Sequence, residues 1–231
     1  MVLRNKAGQL VPRLMSFDVF GTLISVRDSS YVAFRSILND TGGSHIDVKA
    51  FWEYWEERNI THYWEPYRRY RDICELSLAE AFKHYELKGD PRLICRYFDG
   101  FSKFRLYPDV STTLDRLSRC YRLAVVSNID DDLFALTPLQ HEFDVVCTAE
   151  SARGYKPDGT LFKYLVAHAG CTLEQILHSG QSQFTDLVGA KPLGLIVVWV
   201  NRRSLMLHDS VPKPDFVLND VASLLSLVET F

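Results

Sequence analysis

The apolar positions of the chain divide it into short continuous runs and longer amphipathic stretches. Runs rich in β-branched residues, which predict strands, occupy residues 13–20, 122–127, 143–148, 175–179, 195–200 and, more briefly, 215–218. Residues 109–120 and 159–169 instead repeat apolar side chains at helical spacing. Runs that are apolar on both faces are typical of parallel strands covered by helices. Strands that alternate with helices predict an α/β fold built from βαβ units.

Residues 29–107 break this alternation, because they contain no convincing strand. They are rich in charged and aromatic residues, the latter including Phe51, Trp52, Tyr54, Trp55, Tyr63, Trp64, Tyr67 and Tyr70. Pro66 and the segment 89–91 interrupt what otherwise resembles a series of helices. The pattern predicts a helical cap at 29–107, inserted into an α/β core made of residues 1–28 and 108–231.

Composition and charge limit the classes of function. The chain has 231 residues, of which 47% are hydrophobic and 24% charged, as in ordinary soluble globular proteins. A net charge of −3 gives no basic footprint for nucleic acid. Five cysteines without a Cys-x-x-Cys pair suggest neither a disulfide framework nor a zinc site. The first ten residues lack the apolar core of a signal peptide, and no apolar run has membrane-spanning length. We therefore expect a cytoplasmic protein without membrane or nucleic-acid partners.

Polar residues at the ends of the predicted strands are the candidates for chemistry, since ligands of open parallel sheets bind at the carboxyl ends of the strands. Asp18 follows the first strand and precedes Gly21, whose small size permits a tight turn. A carboxylate there can act as a covalent nucleophile. The structural alternative is a carboxylate that only caps a turn.

Three further strand ends carry polar residues, each with a structural alternative. Ser127 and Asn128 could orient an anionic substrate or cap the next helix. Lys156 could keep a carboxylate nucleophile ionised or lie on the solvated surface. Asp186 could take part in catalysis or stabilise a helix start. The recurrence at successive strand ends favours a shared site.

These residues together resemble the motifs of the haloacid dehalogenase superfamily along nearly the whole chain. Asp18-x-Phe-Gly-Thr is similar to its first motif, Ser127-Asn128 to the second, Lys156-Pro157 to the third, and Gly180 through Asp186 to the fourth. The resemblance implies a Rossmann-like parallel sheet with an inserted cap. It also implies that Asp18 is the nucleophile.

Two positions indicate which branch of that superfamily the chain resembles. Its phosphatases have a second Asp where Phe20 stands, and usually an acid where Gln181 stands. Mg²⁺ requires hard anionic oxygen ligands, so we expect a reaction without metal or other cofactor. An aromatic residue at Phe20 resembles the type II 2-haloacid dehalogenases. That resemblance implies attack of Asp18 on the carbon bearing the halogen, loss of halide, and hydrolysis of the resulting aspartyl ester to a 2-hydroxy acid.

The same resemblance implies roles for the remaining candidates. Thr22, Ser127 and Lys156 would position the nucleophile, and Asp186 would activate water with help from Lys156. The candidates for contact with the carboxylic acid substrate or its leaving group are Phe20, Asn128, Gln181, Gln183 and Trp64. His178 precedes the fourth motif within a strand, so we interpret it as a buried structural histidine.

The chain also departs from this branch. The family has an arginine in the cap that receives the leaving halide; here Glu56 aligns with it, and Arg58 falls on another helical face. Phe162 replaces a tyrosine, and Gln181 and Gln183 replace Ser and Asn. Ring opening of azetidine-2-carboxylate, a small-molecule phosphatase and a non-catalytic binding protein therefore remain alternatives. Two-domain enzymes of this kind often pair, which makes a homodimer a further expectation.

Overall fold

The architecture is an open parallel sheet that carries a helical cap. A computed structural model describes residues 8–228. The strands of this part of the chain are β1 (Leu14–Phe17), β2 (Ile24–Ser25), β3 (Arg105–Leu106), β4 (Arg122–Ser127), β5 (Val145–Thr148), β6 (Ile176–Gly180), β7 (Ile196–Val200) and β8 (Phe216–Leu218). Six of them form one sheet in the order β5-β4-β1-β6-β7-β8, with every pairing parallel. All six predicted strands are present, and the predicted fold class is confirmed.

Helices connect the strands and build the cap. They are α1 (Arg27–Asp40), α2 (Val48–His62), α3 (Tyr70–His84), α4 (Cys95–Asp99), α5 (Val110–Leu117), α6 (Asp131–Ala135), α7 (Ala149–Ala152), α8 (Thr160–His168), α9 (Val188–Ala190) and α10 (Leu224–Leu227). The predicted helices at 109–120 and 159–169 correspond to α5 and α8. Among the described residues no helix is long and apolar enough to cross a bilayer.

The sheet is buried on both faces, which explains its continuous apolar runs. On β4, Leu123 and Val125 point to one core cluster, while Ala124 and Val126 point to another. Helix α5 packs on the first face and α8 on the second. Alternate side chains of a strand point to opposite faces, so a strand covered on both sides needs apolar residues at every position.

Aromatic packing holds the cap helices together. The indole of Trp55 lies 4.9 Å from the ring of Phe34 on α1 and 5.2 Å from Tyr97 on α4, centroid to centroid. Its Nε1 donates a hydrogen bond of 3.0 Å to the carbonyl oxygen of Cys74 on α3. One side chain thus joins four helices, because Trp55 itself belongs to α2.

A short two-stranded ribbon connects the cap to the core. Strands β2 and β3 pair antiparallel, with Ile24 opposite Leu106 and Ser25 opposite Arg105. The expectation that 29–107 contains no strand is wrong at β3, because a two-residue strand is too short to show periodicity. Helix α1 begins at Arg27, next to this ribbon.

The cap also contacts the core across the cleft. Asp130, fully buried in the loop after β4, accepts hydrogen bonds from the backbone N–H groups of Tyr70 (2.9 Å) and Arg71 (3.1 Å) at the start of α3. Nearby, Tyr155 of the core stacks on Tyr63 of the cap with ring centroids 4.7 Å apart. These contacts place the cap over the carboxyl ends of the strands.

Candidate active site

The loop after β1 turns back on itself and places two polar side chains together. The backbone N–H of Asp18 still follows the sheet, donating to the Ser179 carbonyl at 2.9 Å. Gly21 then adopts φ +86°, and a Cβ there would stand 3.0 Å from Cγ of Gln181. Both the positive φ and the close approach favour glycine. The turn brings Thr22 beside Asp18.

Both carboxylate oxygens of Asp18 accept a hydrogen bond. Thr22 Oγ1 donates to Oδ2 at 2.6 Å, and Lys156 Nζ donates to Oδ1 at 2.7 Å. Thr22 Oγ1 in turn accepts from the backbone N–H of Gln181 at 2.9 Å, which fixes the direction of its own proton. Thr22 and Lys156 therefore orient Asp18 as the resemblance implies.

Lys156 is a buried ammonium with a complete set of acceptors. Its side chain is 1% exposed, and Nζ donates to Asp18 Oδ1 (2.7 Å), Asp186 Oδ1 (2.7 Å) and the Val126 carbonyl (2.9 Å). An ammonium has three protons, so each is used. Asn128 holds the Lys156 backbone from both sides, donating to its carbonyl and accepting from its N–H, each at 2.8 Å.

Asp186 lies behind this lysine and has no exposed surface. Its Oδ1 accepts from Lys156, and Oδ2 accepts from the Ser182 backbone N–H at 3.0 Å. Gly180 allows this approach, since a Cβ there would stand 2.3 Å from Cγ of Asp186. Asp186 does not line the cavity described below. The role of Asp186 in activating water stays a prediction. The burial of its carboxylate away from the cavity does not favour that role.

His178 completes the buried network from the far side. Its Nε2 lies 3.2 Å from Asp186 Oδ1, and its Nδ1 lies 3.0 Å from Ser16 Oγ. With the proton on Nε2, the ring donates to Asp186 and accepts from Ser16. The ring also packs edge-on against Phe162, 4.8 Å away. The histidine is buried as interpreted from the sequence, and it additionally anchors Asp186.

The two carboxyl groups share one ammonium but differ in acidity. Lys156 and His178 counteract burial and lower the pKa of Asp186 to about 2. Burial, reinforced by the negative charge of Asp186, raises the pKa of Asp18, although Lys156 and Thr22 oppose this. Asp186 is thus the permanent counter-ion of Lys156, and Asp18 is the more basic carboxylate of the pair.

A cavity between core and cap opens above Asp18. The volume that the centres of water molecules can occupy is about 120 Å³, compared with the roughly 10–15 Å³ that one water requires. The core side of its wall comprises Asp18, Phe20, Val26, Ser127, Asn128, Lys156, Gln181, Ser182 and Thr185. The cap side comprises Trp52, Trp55, Glu56, Ile60, Tyr63, Tyr70 and Tyr97. Phe20, Asn128 and Gln181 therefore lie where a substrate can reach them.

Ser127 lines this cavity but makes no hydrogen bond to Asp18. Its Oγ is buried and has no partner among the described residues. Thr22 and Lys156 already occupy both Asp18 oxygens. The expected positioning role of Ser127 is therefore not what the structure shows, and its hydroxyl remains available for another acceptor.

Two predicted substrate contacts lie away from the cavity. The side-chain amide of Gln183 hydrogen-bonds a loop, donating to the Met206 carbonyl (2.8 Å) and accepting from the His208 N–H (2.7 Å). Trp64 follows the end of α2 and is 60% exposed, beside Phe184 in a surface groove. The interpretation of both as substrate-binding residues is corrected: sequence spacing placed them in the right segments but not on the right faces.

An arginine that was not identified from the sequence supports the loop after β1. Arg202 donates to Asp109 through both terminal nitrogens, at 3.0 and 2.9 Å, and through Nε to the Thr22 carbonyl at 2.9 Å. Its guanidinium also lies 3.9 Å from the ring centroid of Tyr107. This arginine ties the Thr22 turn to the segment that returns from the cap.

The site does not fit a magnesium ion. Asp18 and Asp186 both direct an oxygen at the Lys156 ammonium, which already supplies the positive charge between them. Phe20 and Gln181 contribute no further anionic oxygen. Across residues 8–228, no cluster of three or more His, Cys, Asp or Glu side chains is arranged to hold a metal.

Comparison with protein families agrees with this architecture. The model of the haloacid dehalogenase-like hydrolases matches residues 15–200. The chain belongs to this family. The resemblance of its four motifs to the haloacid dehalogenase superfamily is thereby confirmed, and the protein is a hydrolase of that fold.

Individual relatives cover nearly the whole chain at low identity. Haloacetate dehalogenase H-2 from Moraxella sp. (strain B) is 23% identical over 224 residues, 93% of this chain and 96% of the relative. The (S)-2-haloacid dehalogenase of Pseudomonas sp. (strain YL) is 23% identical and covers 94% of both chains. The L-2-haloacid dehalogenase structure from Xanthobacter autotrophicus with chloropropionic acid covalently bound superposes with a TM-score of 0.79 at 20% identity, covering 94% of this chain and 98% of its own.

Proposed function

We propose that the protein displaces halide from a short 2-haloalkanoic acid through an aspartyl-ester intermediate, giving the 2-hydroxy acid. The observation that carries this proposal is the environment of Asp18. Its carboxylate is oriented by Thr22 and Lys156, keeps 10% of its side-chain surface exposed, and lines a small cavity with aromatic walls. A basic carboxylate fixed in this way suits attack on carbon.

In the first step, an oxygen of Asp18 forms a bond to the carbon that carries the halogen, and the carbon–halogen electron pair leaves with the halide. Thr22 and Lys156 fix the plane of the Asp18 carboxylate. The direction from which its oxygen can attack a substrate in the cavity is therefore restricted. Alignment of this kind is a large part of what an enzyme contributes to a bimolecular displacement.

In the second step, water attacks the carboxyl carbon of the Asp18 ester. One proton of the water passes to the departing alkoxide oxygen, which gives the 2-hydroxy acid, and the other is released to solvent. During the attack, negative charge develops on the other carboxyl oxygen. Lys156 Nζ, already 2.7 Å from Oδ1, supplies a preorganised cation for that charge. The carboxylate that is regenerated carries one oxygen from water.

The substrate's own carboxylate needs donors near Asp18. The Ser127 hydroxyl lines the cavity without a hydrogen-bond partner among residues 8–228, and burying an unpaired hydroxyl is costly. Asn128 Nδ2 has a second proton beyond the one donated to Lys156. We assign these two groups to the substrate carboxylate. The cavity volume limits that substrate to a short acid.

The decisive experiment replaces the nucleophile and follows the oxygen of water. Halide release from monochloroacetate and 2-chloropropionate should be lost in Asp18→Asn by at least about a thousand-fold. Asp28→Asn, at an exposed position in the first turn of α1, is the matched control and should keep full activity. In a single turnover in ¹⁸O-water, mass spectrometry should find the label in Asp18. An unlabelled Asp18 during active turnover would refute the ester mechanism.

A further inference from the structure

An in-line displacement determines where the leaving group must go. The halide departs on the side of the carbon opposite the attacking oxygen. Asp18 lies at the core side of the cavity, so the leaving group moves towards the cap. The described cap side of the wall is mainly aromatic, and Glu56 is the charged residue that it contains.

Glu56 lies where the cavity continues outwards. It is on α2, one turn after Trp52, and both residues also line an adjoining pocket with Arg27 and Arg203. Within residues 8–228, the side chain of Glu56 makes no hydrogen bond and no ion pair within 4.0 Å, and neither do those of Arg203 and Arg27, the latter lying over the Trp52 ring. The carboxyl group of Glu56 therefore has no strong partner in the protein, and its oxygens are available to a molecule in the cleft.

We propose that the carboxylic acid form of Glu56 donates a hydrogen bond to the group that leaves the carbon. This inference rests on the proposed function and adds to it a catalytic residue that contacts the substrate. No proton transfer is needed for halide: the carbon–halogen electron pair leaves with the halogen, and the O–H of Glu56 stabilises the developing anion. A neutral donor also adds no charge to a cavity that already contains a carboxylate nucleophile.

The surroundings of Glu56 favour its neutral form below about pH 7. The side chain is exposed to the water of the cleft, but the protein around the cleft desolvates the carboxyl group and raises the pKa of Glu56 to about 7. The charged or titratable groups facing it are Glu53 on its own helix, Arg27 and Tyr31 on α1, Tyr63 and Tyr97 elsewhere in the cap, and Arg203, Asp18 and Lys156 on the core. Arg27 and Arg203 lower this pKa, and Glu53 raises it.

A hydrogen-bond donor that ionises with a pKa of about 7 leaves a signature in the pH profile. Wild-type kcat for halide release should fall as the pH rises through about 7, because the proton that Glu56 donates is lost. Glu56→Gln keeps an N–H donor at every pH, so its profile should lose this fall. Glu56→Leu has no donor, so its kcat at pH 6 should drop on the order of 100-fold. The matched control is Glu57→Gln, because Glu57 is the next residue of α2 and does not line the cavity.

The leaving group supplies a second readout that a merely structural role would not change. Fluoride accepts hydrogen bonds more strongly than bromide and leaves carbon less readily. Glu56→Leu should therefore lose more activity on fluoroacetate than on bromoacetate, while ¹⁸O still enters Asp18 in its slow single turnovers.

Three results would overturn the inference. In the first, Glu56→Gln keeps the alkaline fall of the wild type. In the second, Glu56→Gln loses most activity at high pH, and a cyclic imino acid replaces haloacids as substrate; Glu56 would then act as an anion that binds a cationic nitrogen. In the third, wild type releases no halide from any haloacid, which refutes the proposed function as well. The first result refutes the role of Glu56 alone.

Discussion

Replacement of Lys156 by methionine tests the centre of the site, because one ammonium balances two buried carboxylates. Methionine has a similar length and no charge, so the variant removes three hydrogen bonds without opening a large cavity. Lys156 is 1% exposed, and water cannot replace it readily. Breaking a buried ion pair by removing one partner costs about 3–5 kcal/mol. Against a total stability of about 5–15 kcal/mol, the loss is severe.

The pH dependence of that loss distinguishes electrostatics from packing. Without the ammonium, the pKa of Asp186 rises above that of the unfolded chain, where Asp titrates near 3.9, and the pKa of Asp18, already raised in the wild type, rises further. The native state of the variant then binds more protons than the unfolded state, so its stability falls as the pH rises. Lys156→Met should therefore be closest to wild type near pH 5 and least stable near pH 8.

Urea unfolding at pH 5, 6.5 and 8, followed by tryptophan fluorescence, measures this difference. Lys163→Met is the matched control, since Lys163 is exposed on α8 and should change stability by less than about 0.5 kcal/mol. Halide release by Lys156→Met should also fall sharply at neutral pH, because the variant lacks the donor that orients Asp18 and the higher pKa of Asp18 leaves less of it as the nucleophilic carboxylate. A variant that loses the same stability at every pH, or none at pH 8, would contradict the assignment of Lys156 as the counter-ion of both carboxylates.

Two further substitutions test the supports of the site. Thr22→Val removes the donor to Asp18 Oδ2 while keeping the shape of the side chain, so kcat should fall about tenfold, as expected for about 1.4 kcal/mol, with little change in KM. Asp130→Ala leaves the Tyr70 and Arg71 N–H groups without their acceptor, so urea unfolding should show a loss of about 1–3 kcal/mol. Because those groups anchor the cap, KM should rise as well; an unchanged KM would separate the anchor from substrate binding.

The fold could be predicted because its strands obey a simple rule. Strands covered on both faces must be apolar where they are covered; β7 is apolar throughout, and β4 is apolar at its four central positions, 123–126. The two-residue ribbon of β2 and β3 could not be predicted, since pairing between segments 80 residues apart leaves no local pattern. The position of such a short ribbon is determined by the connection between cap and core and not by its own sequence.

The site was predictable at the level of strand ends but not of side-chain direction. Asp18 and Lys156 are brought together because parallel strands end at one edge of the sheet. Ser127 shares that edge, yet its hydroxyl takes no part in holding the nucleophile. Gln183 points to a loop, and Arg202 reaches Thr22 from 180 residues away. Such contacts depend on loop conformation, for which neither periodicity nor spacing gives a signal.

The charges of the site also bear on the choice between carbon and phosphorus chemistry. Asp18, Asp186 and Lys156 together carry one net negative charge at neutral pH, with Lys156 fully used by its three acceptors. Two unit charges 4 Å apart interact by about 4 kcal/mol at an effective dielectric constant of 20. A phosphate monoester dianion carries two charges, so the site would repel it about twice as strongly. A haloacid carries one charge, on its carboxylate, and the short chain separates that charge from the attacked carbon. A neutral Glu56 on the cap side would add no charge to the site. The net charge of the site therefore favours a substrate whose leaving group departs as a singly charged anion.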